Sequence, residues 1–315
     1  MKPIDHFNIF NNIEKKGKIP PFELHKNIED PKHYIPSKAL INAINVAMFL
    51  GQPLLVTGEP GTGKTQLAYA ITNFFELGEP FVFNTKTTST AKDLFYTYDA
   101  LAHFQYVQSN NRQLNVEEIE TLFIKYQALG KAIKSNERHI VLIDEIDKAP
   151  RDLPNDILNV IEKLEFEVPE INKVGRDTIK ADPENRPIVI ITSNSEKNLP
   201  DPFLRRCVFF HIDFPNNDQL REILKKRILG EKFNDDQWDS IILYFNMIRN
   251  KLKHKKPATS ELIYWVTLLL RIGFDFNKLG KGQDLSPQDR ENLLISFSIL
   301  AKDLEDIRIL KDLLA

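Results

Sequence analysis

The 315-residue chain is poor in cysteine, in glycine and in net charge. Its one cysteine, Cys207, permits no disulfide within the chain and no cysteine-based metal cage, which predicts a reducing compartment. With 12 glycines and 18 prolines, the composition excludes collagen-like and low-complexity classes. Lysine and arginine together number 42, against 44 for aspartate and glutamate, so the charge balance requires neither nucleic acid nor an anionic membrane as the main partner.

Long apolar runs are also missing from the sequence. The longest nearly apolar stretch, Leu262–Leu270, is far shorter than the roughly 18–20 residues that a membrane helix needs. The N-terminus, MKPIDHFNIFNN, has neither the apolar core nor the cleavage site of a signal peptide. These absences predict a cytoplasmic protein that does not associate with membranes.

Short apolar stretches recur along the first part of the chain. They predict five buried strands, at Pro53–Val56, Phe81–Asn84, Ile140–Ile143, Ile188–Thr192 and Val208–Ile212. Helical patterns lie before and between them, at about 37–50, 64–75, 116–133 and 152–164. Ser37 is the expected N-cap of the first helix and Gly51 its end. This alternation favours an α/β fold, a parallel five-stranded sheet with helices on both faces.

Strand signals end after Pro215, and helical patterns follow at about 217–229, 235–252, 259–273, 287–301 and 303–314. We therefore predict an N-terminal arm over residues 1–32, an α/β domain over 33–214 and an all-helical domain over 215–315. A β-hairpin insertion is expected over 165–187, turning at Val174-Gly175. Segment 85–115 is compatible both with a partner or pore loop and with a hairpin packed on its own domain.

A glycine-rich loop follows the first predicted strand and opens a helix. It matches G-x-x-x-x-G-K-[ST] at every position: Gly58-Glu59-Pro60-Gly61-Thr62-Gly63-Lys64-Thr65. Glycines let successive N–H groups point into one concavity, and a helix N-terminus adds positive potential there. Lys64 is expected to reach the β- and γ-phosphates of a nucleotide and Thr65 to place its hydroxyl on Mg²⁺, while Gln66 completes the predicted binding site.

Two carboxylates follow the third predicted strand directly. Asp144 and Glu145 stand at its carboxyl end, the edge at which parallel sheets bind ligands. Asp144 is suited to hold Mg²⁺, which prefers oxygen ligands and keeps several waters. Glu145 is then placed to orient and activate a water against the γ-phosphate. An acidic helix start without function is the alternative, and the phosphate loop argues against it.

The phrases TGEPGTGKT, VLIDEIDKAP and VIITSNSEKNLPDPFLRRC, in this order, resemble those of AAA+ ATPases, and most closely the MoxR-like branch. The resemblance covers about residues 33–273. It implies ATP and Mg²⁺ as ligands, the sheet order 5-1-4-3-2, a helical C-terminal lid, and a ring of subunits, usually hexameric. It also implies that Asn194, which follows the fourth strand, orients the attacking water. An asparagine that merely tolerates a turn is the alternative for that residue.

The resemblance further implies an arginine that reaches the nucleotide of a neighbouring subunit. Arg206 is the better match in LPDPFLRRC and Arg205 the second candidate, the alternative being a pair of surface arginines. Many relatives carry another arginine at the start of a lid helix. Glu261 stands at that position here, and a carboxylate would repel phosphate, so we predict no such contact. Thr259 is the expected N-cap of that helix.

Three functions remain open at this stage. The first is a chaperone-like ATPase that remodels a partner protein, in this family often one with a von Willebrand A domain. The second is a nucleic-acid motor of a restriction or defence system, which the balanced charge argues against. The third is a nucleotide-gated scaffold, which the intact Lys64, Asp144 and Glu145 argue against.

Overall fold

The computed structural model describes residues 30–110, 112, 114–171, 178–228, 233–280 and 285–314, and for Asn159 the backbone alone. The described residues form two compact units. One consists of residues 36–59 and 63–212 and contains the parallel sheet. The other consists of the described parts of 1–35 and 213–315 together with residues 60–62, and is helical. Most of the predicted N-terminal arm, residues 1–29, and the predicted turn at Val174-Gly175 lie outside the described residues.

A five-stranded parallel sheet forms the centre of the first unit. Its strands are Leu54–Gly58 (β1), Phe81–Asn84 (β2), Ile140–Asp144 (β3), Ile188–Ser193 (β4) and Val208–Ile212 (β5). The order across the sheet is β5-β1-β4-β3-β2, and every neighbouring pair is parallel. The predicted fold class and the strand order that the resemblance implied are both confirmed. Because the strands are parallel, the carboxyl ends of β1, β3 and β4 lie next to one another on one side of the sheet.

The central strands are buried, as their continuous apolar sequences require. Every residue of β1 is buried, and so are all residues of β3 except the last. The edge strand β5 behaves differently, because its residues alternate in exposure and Phe209 keeps 57% of its surface exposed. Its sequence, apolar except for His211, did not predict this alternation.

Helices flank the sheet and fill the connections between its strands. In this unit they are Lys38–Leu50 (α1), Lys64–Phe75 (α2), Ala100–Asn110 (α3), Val116–Phe123 (α4), Ala128–Lys134 (α5), Leu153–Lys163 (α6) and Asp201–Leu204 (α7), with 3-10 turns at Ala91–Leu94 and Ile146–Lys148. The Ser37 hydroxyl accepts a hydrogen bond from the Leu40 N–H, and Gly51 ends α1 with a φ of 63°. Both predicted ends of this helix are confirmed.

The helix predicted over 116–133 is wrong in its middle. The chain leaves helical geometry after Phe123, and Ile124–Tyr126 pairs antiparallel with Tyr96–Tyr98 before α5 begins. Gly130 of α5 then packs so closely that a Cβ there would lie 2.0 Å from the carbonyl oxygen of Phe95. Cross-strand pairing overrides a continuous helical pattern here. A second short pair, Glu165–Phe166 with Ile179–Lys180, forms the base of the predicted hairpin insertion.

The second unit is built from helices around its own apolar core. They are Asn217–Arg227 (α8), Asp235–Lys251 (α9), Thr259–Arg271 (α10), Pro287–Leu300 (α11) and Leu304–Asp312 (α12), with 3-10 turns at Pro31–His33 and Phe276–Lys278. Trp265, Phe245 and Phe297 are almost fully buried in that core. Across the described ranges, no helix combines the length and the apolar character that a membrane span requires.

Acidic residues at the start of α12 face the basic run of residues 251–256, KLKHKK, which begins at the last residue of α9. Glu305 forms ion pairs with Lys253 at 3.7 Å and with His254 at 3.0 Å. Asp306, which is fully buried, accepts a hydrogen bond from the Lys253 N–H. These contacts give the basic run partners within its own unit.

Candidate nucleotide site

The phosphate loop adopts backbone angles that glycine accommodates readily. Gly58 ends β1 with a φ of 151°, and Gly61 and Gly63 have φ values of 75° and 89°. The helix α2 begins at Lys64, so its first N–H groups, which have no partner within a helix, point out of its N-terminus. Gly63 adds no side chain to cap them. The loop and this helix end therefore form a cradle for an anion.

Lys64 is buried inside this loop, with only 6% of its surface exposed. Its Nζ donates hydrogen bonds to the carbonyl oxygens of Gly58 at 2.8 Å and Glu59 at 2.9 Å. An ammonium group has three donors, so one remains for a phosphate oxygen. Burial lowers the pKa of Lys64, and the nearby carboxylates, first among them Asp144, oppose that shift. A bound polyphosphate would add anionic partners for this desolvated cation.

The acidic end of β3 is tied to the loop by hydroxyl groups. The Thr65 hydroxyl donates to Asp144 Oδ1 at 3.0 Å, and the Thr192 hydroxyl donates to the same oxygen at 2.6 Å. The Glu145 N–H donates to the Thr192 hydroxyl at 2.8 Å. Sequence reasoning did not assign a role to Thr192. A threonine inside the apolar strand IVIIT was the available signal.

Glu145 is held on both of its carboxylate oxygens. The Asn194 side chain donates from Nδ2 to Oε1 at 3.0 Å, and the Lys148 ammonium forms an ion pair with Oε2. Glu145 itself has a φ of 56°, a left-handed conformation that costs a non-glycine residue energy and is found most often at functional sites. The structure therefore brings Asn194 beside the carboxylate, as the resemblance implied. It also adds Lys148, which sequence reasoning missed.

The residues around Lys64 suit a nucleotide carrying Mg²⁺. Thr65 and Asp144 offer the hydroxyl and carboxylate oxygens that Mg²⁺ prefers. Nowhere in the described residues do three or more His, Cys, Asp or Glu side chains gather closely enough to hold a metal by themselves. The ion would thus take its remaining ligands from phosphate oxygens and water. In addition, the buried Gln66 Oε1 has no hydrogen-bond partner among the described residues.

The two arginine candidates lie far from this cluster. Arg205 and Arg206 are exposed and precede β5, whereas the loop and the acidic pair follow β1 and β3. The arginines precede the first residue of β5, whereas Gly58, where the loop begins, pairs with the last residue, Ile212. The whole strand therefore separates the arginines from the loop, a distance of ~17 Å at about 3.3 Å per residue. Neither arginine can therefore reach the loop of its own chain.

Arg206 has partners near the start of β5. Its Nε lies 3.3 Å from a carboxylate oxygen of Glu162, and its Nη1 donates to the carbonyl oxygen of Pro202 at 3.2 Å. Both charged side chains are largely exposed, so this ion pair contributes only about 0–1 kcal/mol. A cavity of 220 Å³ opens beside it, lined by apolar residues, by polar and charged side chains that include the Arg206–Glu162 pair, and by Cys207. Burial raises the pKa of that thiol to about 12, so the cysteine is not poised for reactivity.

Glu261 has a structural role within the helical unit. Its carboxylate accepts a hydrogen bond from the Ala258 N–H at 2.6 Å, which satisfies a donor at the start of α10. The predicted N-cap, Thr259, is wrong by one position, because Thr259 is the first helical residue and Ala258 precedes it. In the described residues the Thr259 hydroxyl finds no hydrogen-bond partner. The acidic side chain at this position is thus explained by capping.

Replacing Lys64 by methionine should weaken ATP binding by about 10- to 100-fold, since hydrogen bonds to charged groups are worth about 1.5–3 kcal/mol. Methionine keeps the length and apolar stem of the side chain but not its charge. Titration with a fluorescent ATP analogue measures the affinity. Lys38→Met, which removes an exposed cation from the start of α1, is the matched control and should bind normally. Equal affinity in both variants would contradict the role of Lys64.

Comparisons with known proteins agree with this geometry. Residues 53–207 match the family model of the AAA domain, dynein-related subfamily. An uncharacterized protein of Staphylococcus epidermidis is 28% identical over 201 residues, which are 62% of this chain and 68% of that protein. The Lon protease of Rhizobium meliloti is 26% identical over 228 residues, 71% of this chain but only 25% of the protease. The matched segment contains the loop, the acidic pair and Asn194, and we conclude that residues 53–207 form an AAA domain with the P-loop AAA+ fold.

Proposed function

We propose that this protein hydrolyses ATP to ADP and phosphate. The observation that carries the proposal is the arrangement at the ends of β3 and β4, where Asn194 holds Glu145 next to the Asp144–Thr65 pair. Lys64 and the loop N–H groups bind the phosphates, and Asp144 and Thr65 hold Mg²⁺, which neutralises charge on the phosphates when bound. Glu145 accepts a proton from the attacking water, and Asn194 orients that water and the carboxylate.

We further propose that the active form is a ring, hexameric by the MoxR-like resemblance. The position of Arg206, at the strand ends opposite the loop, supports this proposal. An arginine that cannot reach its own loop can serve the site of a neighbouring subunit. Its guanidinium would then stabilise the charge of the transferring phosphoryl group. Releasing it from Glu162 costs little, since that ion pair is exposed. Arg205 is the second candidate for the same role.

The work done by this cycle is, in our proposal, remodelling of a protein partner, as in the MoxR-like branch. A partner with a von Willebrand A domain fits that branch. A nucleic-acid motor needs a basic surface, and the basic run of residues 251–256, KLKHKK, is the candidate for it. The ion pairs of Lys253 and His254 with Glu305 leave less of its charge for such a ligand. The second candidate function, a nucleic-acid motor, is therefore less well supported. For the first candidate function, a remodelling ATPase, we propose a location in the cytoplasm.

Stimulation of ATP turnover separates these functions. Phosphate release is measured with the full chain alone, with DNA or RNA, and with the protein that co-purifies with a Glu145→Gln variant from native cells. The remodelling proposal predicts stimulation by the captured protein and none by nucleic acid. Stimulation by nucleic acid alone would overturn it in favour of the motor, and nucleotide binding without turnover under any condition would favour the scaffold.

A further inference from the structure

Asp147 is a buried carboxylate in the turn that follows the acidic pair. Only 2% of its surface is exposed, although a charged side chain is costly to bury unless it is well hydrogen-bonded. Asp144 ends β3, whereas Asp147 lies three residues further on in the 3-10 turn, and the P-loop chemistry above assigns it no task. Its burial therefore calls for an explanation within the site.

The carboxylate of Asp147 is held by the backbone of the turn after β4. The Asn194 N–H donates to its two oxygens at 3.3 and 3.2 Å, and the Glu196 N–H donates to Oδ2 at 3.0 Å. Between them, Ser195 takes a left-handed φ of 60°, and its N–H donates to the Ser193 hydroxyl at 3.0 Å. Charge-assisted hydrogen bonds of this kind are stronger than neutral ones, and two donors from one turn fix its conformation.

The left-handed conformation of Glu145 accounts for this contact. With φ 56° and ψ 53°, Glu145 turns the chain into the 3-10 turn Ile146–Lys148. Asp147 thereby reaches the end of β4, while Lys148 returns to the Glu145 carboxylate. The turn after β3 and the turn after β4 are thus linked through Asp147, which accepts from the backbone N–H groups of Asn194 and Glu196. They are linked again by the Asn194 side chain, which donates to Glu145.

We propose that Asp147 is a positioning residue for ATP hydrolysis, acting through Asn194. It holds the backbone of Asn194 where the side-chain amide meets the Glu145 carboxylate. The inference rests on the proposed hydrolysis at this site and adds a residue to it. Because a misplacement of about 1 Å in an active site can cost 10²-fold in rate, loosening this turn should slow turnover without weakening nucleotide binding.

The test uses Asp147→Asn in the full chain. Asparagine has nearly the same shape, but it offers one acceptor oxygen and turns an NH₂ group toward a backbone N–H. We expect a 10- to 100-fold lower kcat with ATP affinity within about twofold of wild type. Without nucleotide, amide hydrogen exchange over residues 194–196 should be at least about tenfold faster, since protection there depends on these bonds. Asp156→Asn, an exposed carboxylate of α6, is the matched control and should change neither quantity.

A double-mutant cycle separates positioning from general damage. If Asp147 acts through Asn194, the variant Asn194→Ala with Asp147→Asn should turn over no more slowly than Asn194→Ala alone, within about twofold. Multiplied losses in the double variant, or unchanged exchange and kcat in Asp147→Asn, would overturn the proposal. A wild-type chain that binds ATP without hydrolysing it would overturn the proposed function, and the positioning role of Asp147 with it. A wild-type chain that hydrolyses ATP while Asp147→Asn keeps the wild-type kcat would overturn the positioning role alone.

Discussion

Replacing Arg206 by alanine is expected to reduce ATP turnover by about 10³–10⁵-fold while leaving ATP affinity close to that of wild type. The reason is geometric: Arg206 lies at the amino ends of the parallel strands, and the phosphate loop lies at their carboxyl ends. Arg206 contributes no contact to its own loop, so its loss should spare binding and remove charge stabilisation in the neighbouring site. Arg205→Ala tests the second candidate and should retain most of the activity if Arg206 holds the role, while Arg308→Ala, which removes an exposed arginine of α12, is the control.

Mixing two inactive variants tests whether Arg206 acts between subunits. Glu145→Gln keeps a functional arginine, and Arg206→Ala keeps a functional pocket, so a complete site forms wherever the two meet. Turnover should recover on mixing and be greatest at intermediate ratios. Each variant mixed with wild type controls for coupling around the ring. Full activity of Arg206→Ala alone would contradict the assignment and transfer the role to Arg205, while no recovery in demonstrated mixed rings would contradict action between subunits.

Replacing Glu145 by glutamine should slow hydrolysis by about 10²–10⁴-fold and leave ATP bound. The amide keeps the shape of the side chain and its contact with Asn194, but it cannot accept a proton from water. The ion pair with Lys148 is lost as well, and an exposed pair of this kind affects stability little. Single-turnover phosphate release measures the rate, and light scattering should detect a larger ATP-bound assembly.

The control for this variant is Glu137→Gln, which neutralises an exposed glutamate in the loop before β3. It should hydrolyse ATP at the wild-type rate. Turnover of Glu145→Gln at that same rate would mean that another group activates the water. A parallel loss of ATP affinity would mean that Glu145 acts in binding and not in the chemical step.

The parts of the site that the sequence predicted are those fixed by strand ends. Apolar runs define where β1, β3 and β4 lie, and parallel pairing then requires Gly58, Asp144 and Asn194 to meet at one edge. The glycine pattern similarly fixes the loop, because the φ values of Gly61 and Gly63 are ones that few other residues adopt. In these places local sequence and tertiary arrangement agree.

The contacts that sequence reasoning missed depend on one backbone conformation. Glu145 is left-handed, yet glutamate carries no preference for that region, so nothing in DEIDK predicts that Asp147 and Lys148 turn back into the site. The interrupted helix over 116–133 has a related cause. Its apolar pattern is helical throughout, and only the distant strand Tyr96–Tyr98 gives Ile124–Tyr126 a reason to extend.

Phosphate release from ATP by the purified full chain, with Mg²⁺ and with Mg²⁺ chelated, tests the central claim most directly. The claim is that the loop, Asp144, Glu145 and Asn194 together form a hydrolytic site. It predicts turnover that requires Mg²⁺, and that falls to background in both Lys64→Met and Glu145→Gln while Lys38→Met and Glu137→Gln remain active. Turnover that persists without Mg²⁺ or in Glu145→Gln, or saturable ATP binding by the wild-type chain with no phosphate released in assembled rings, would contradict it.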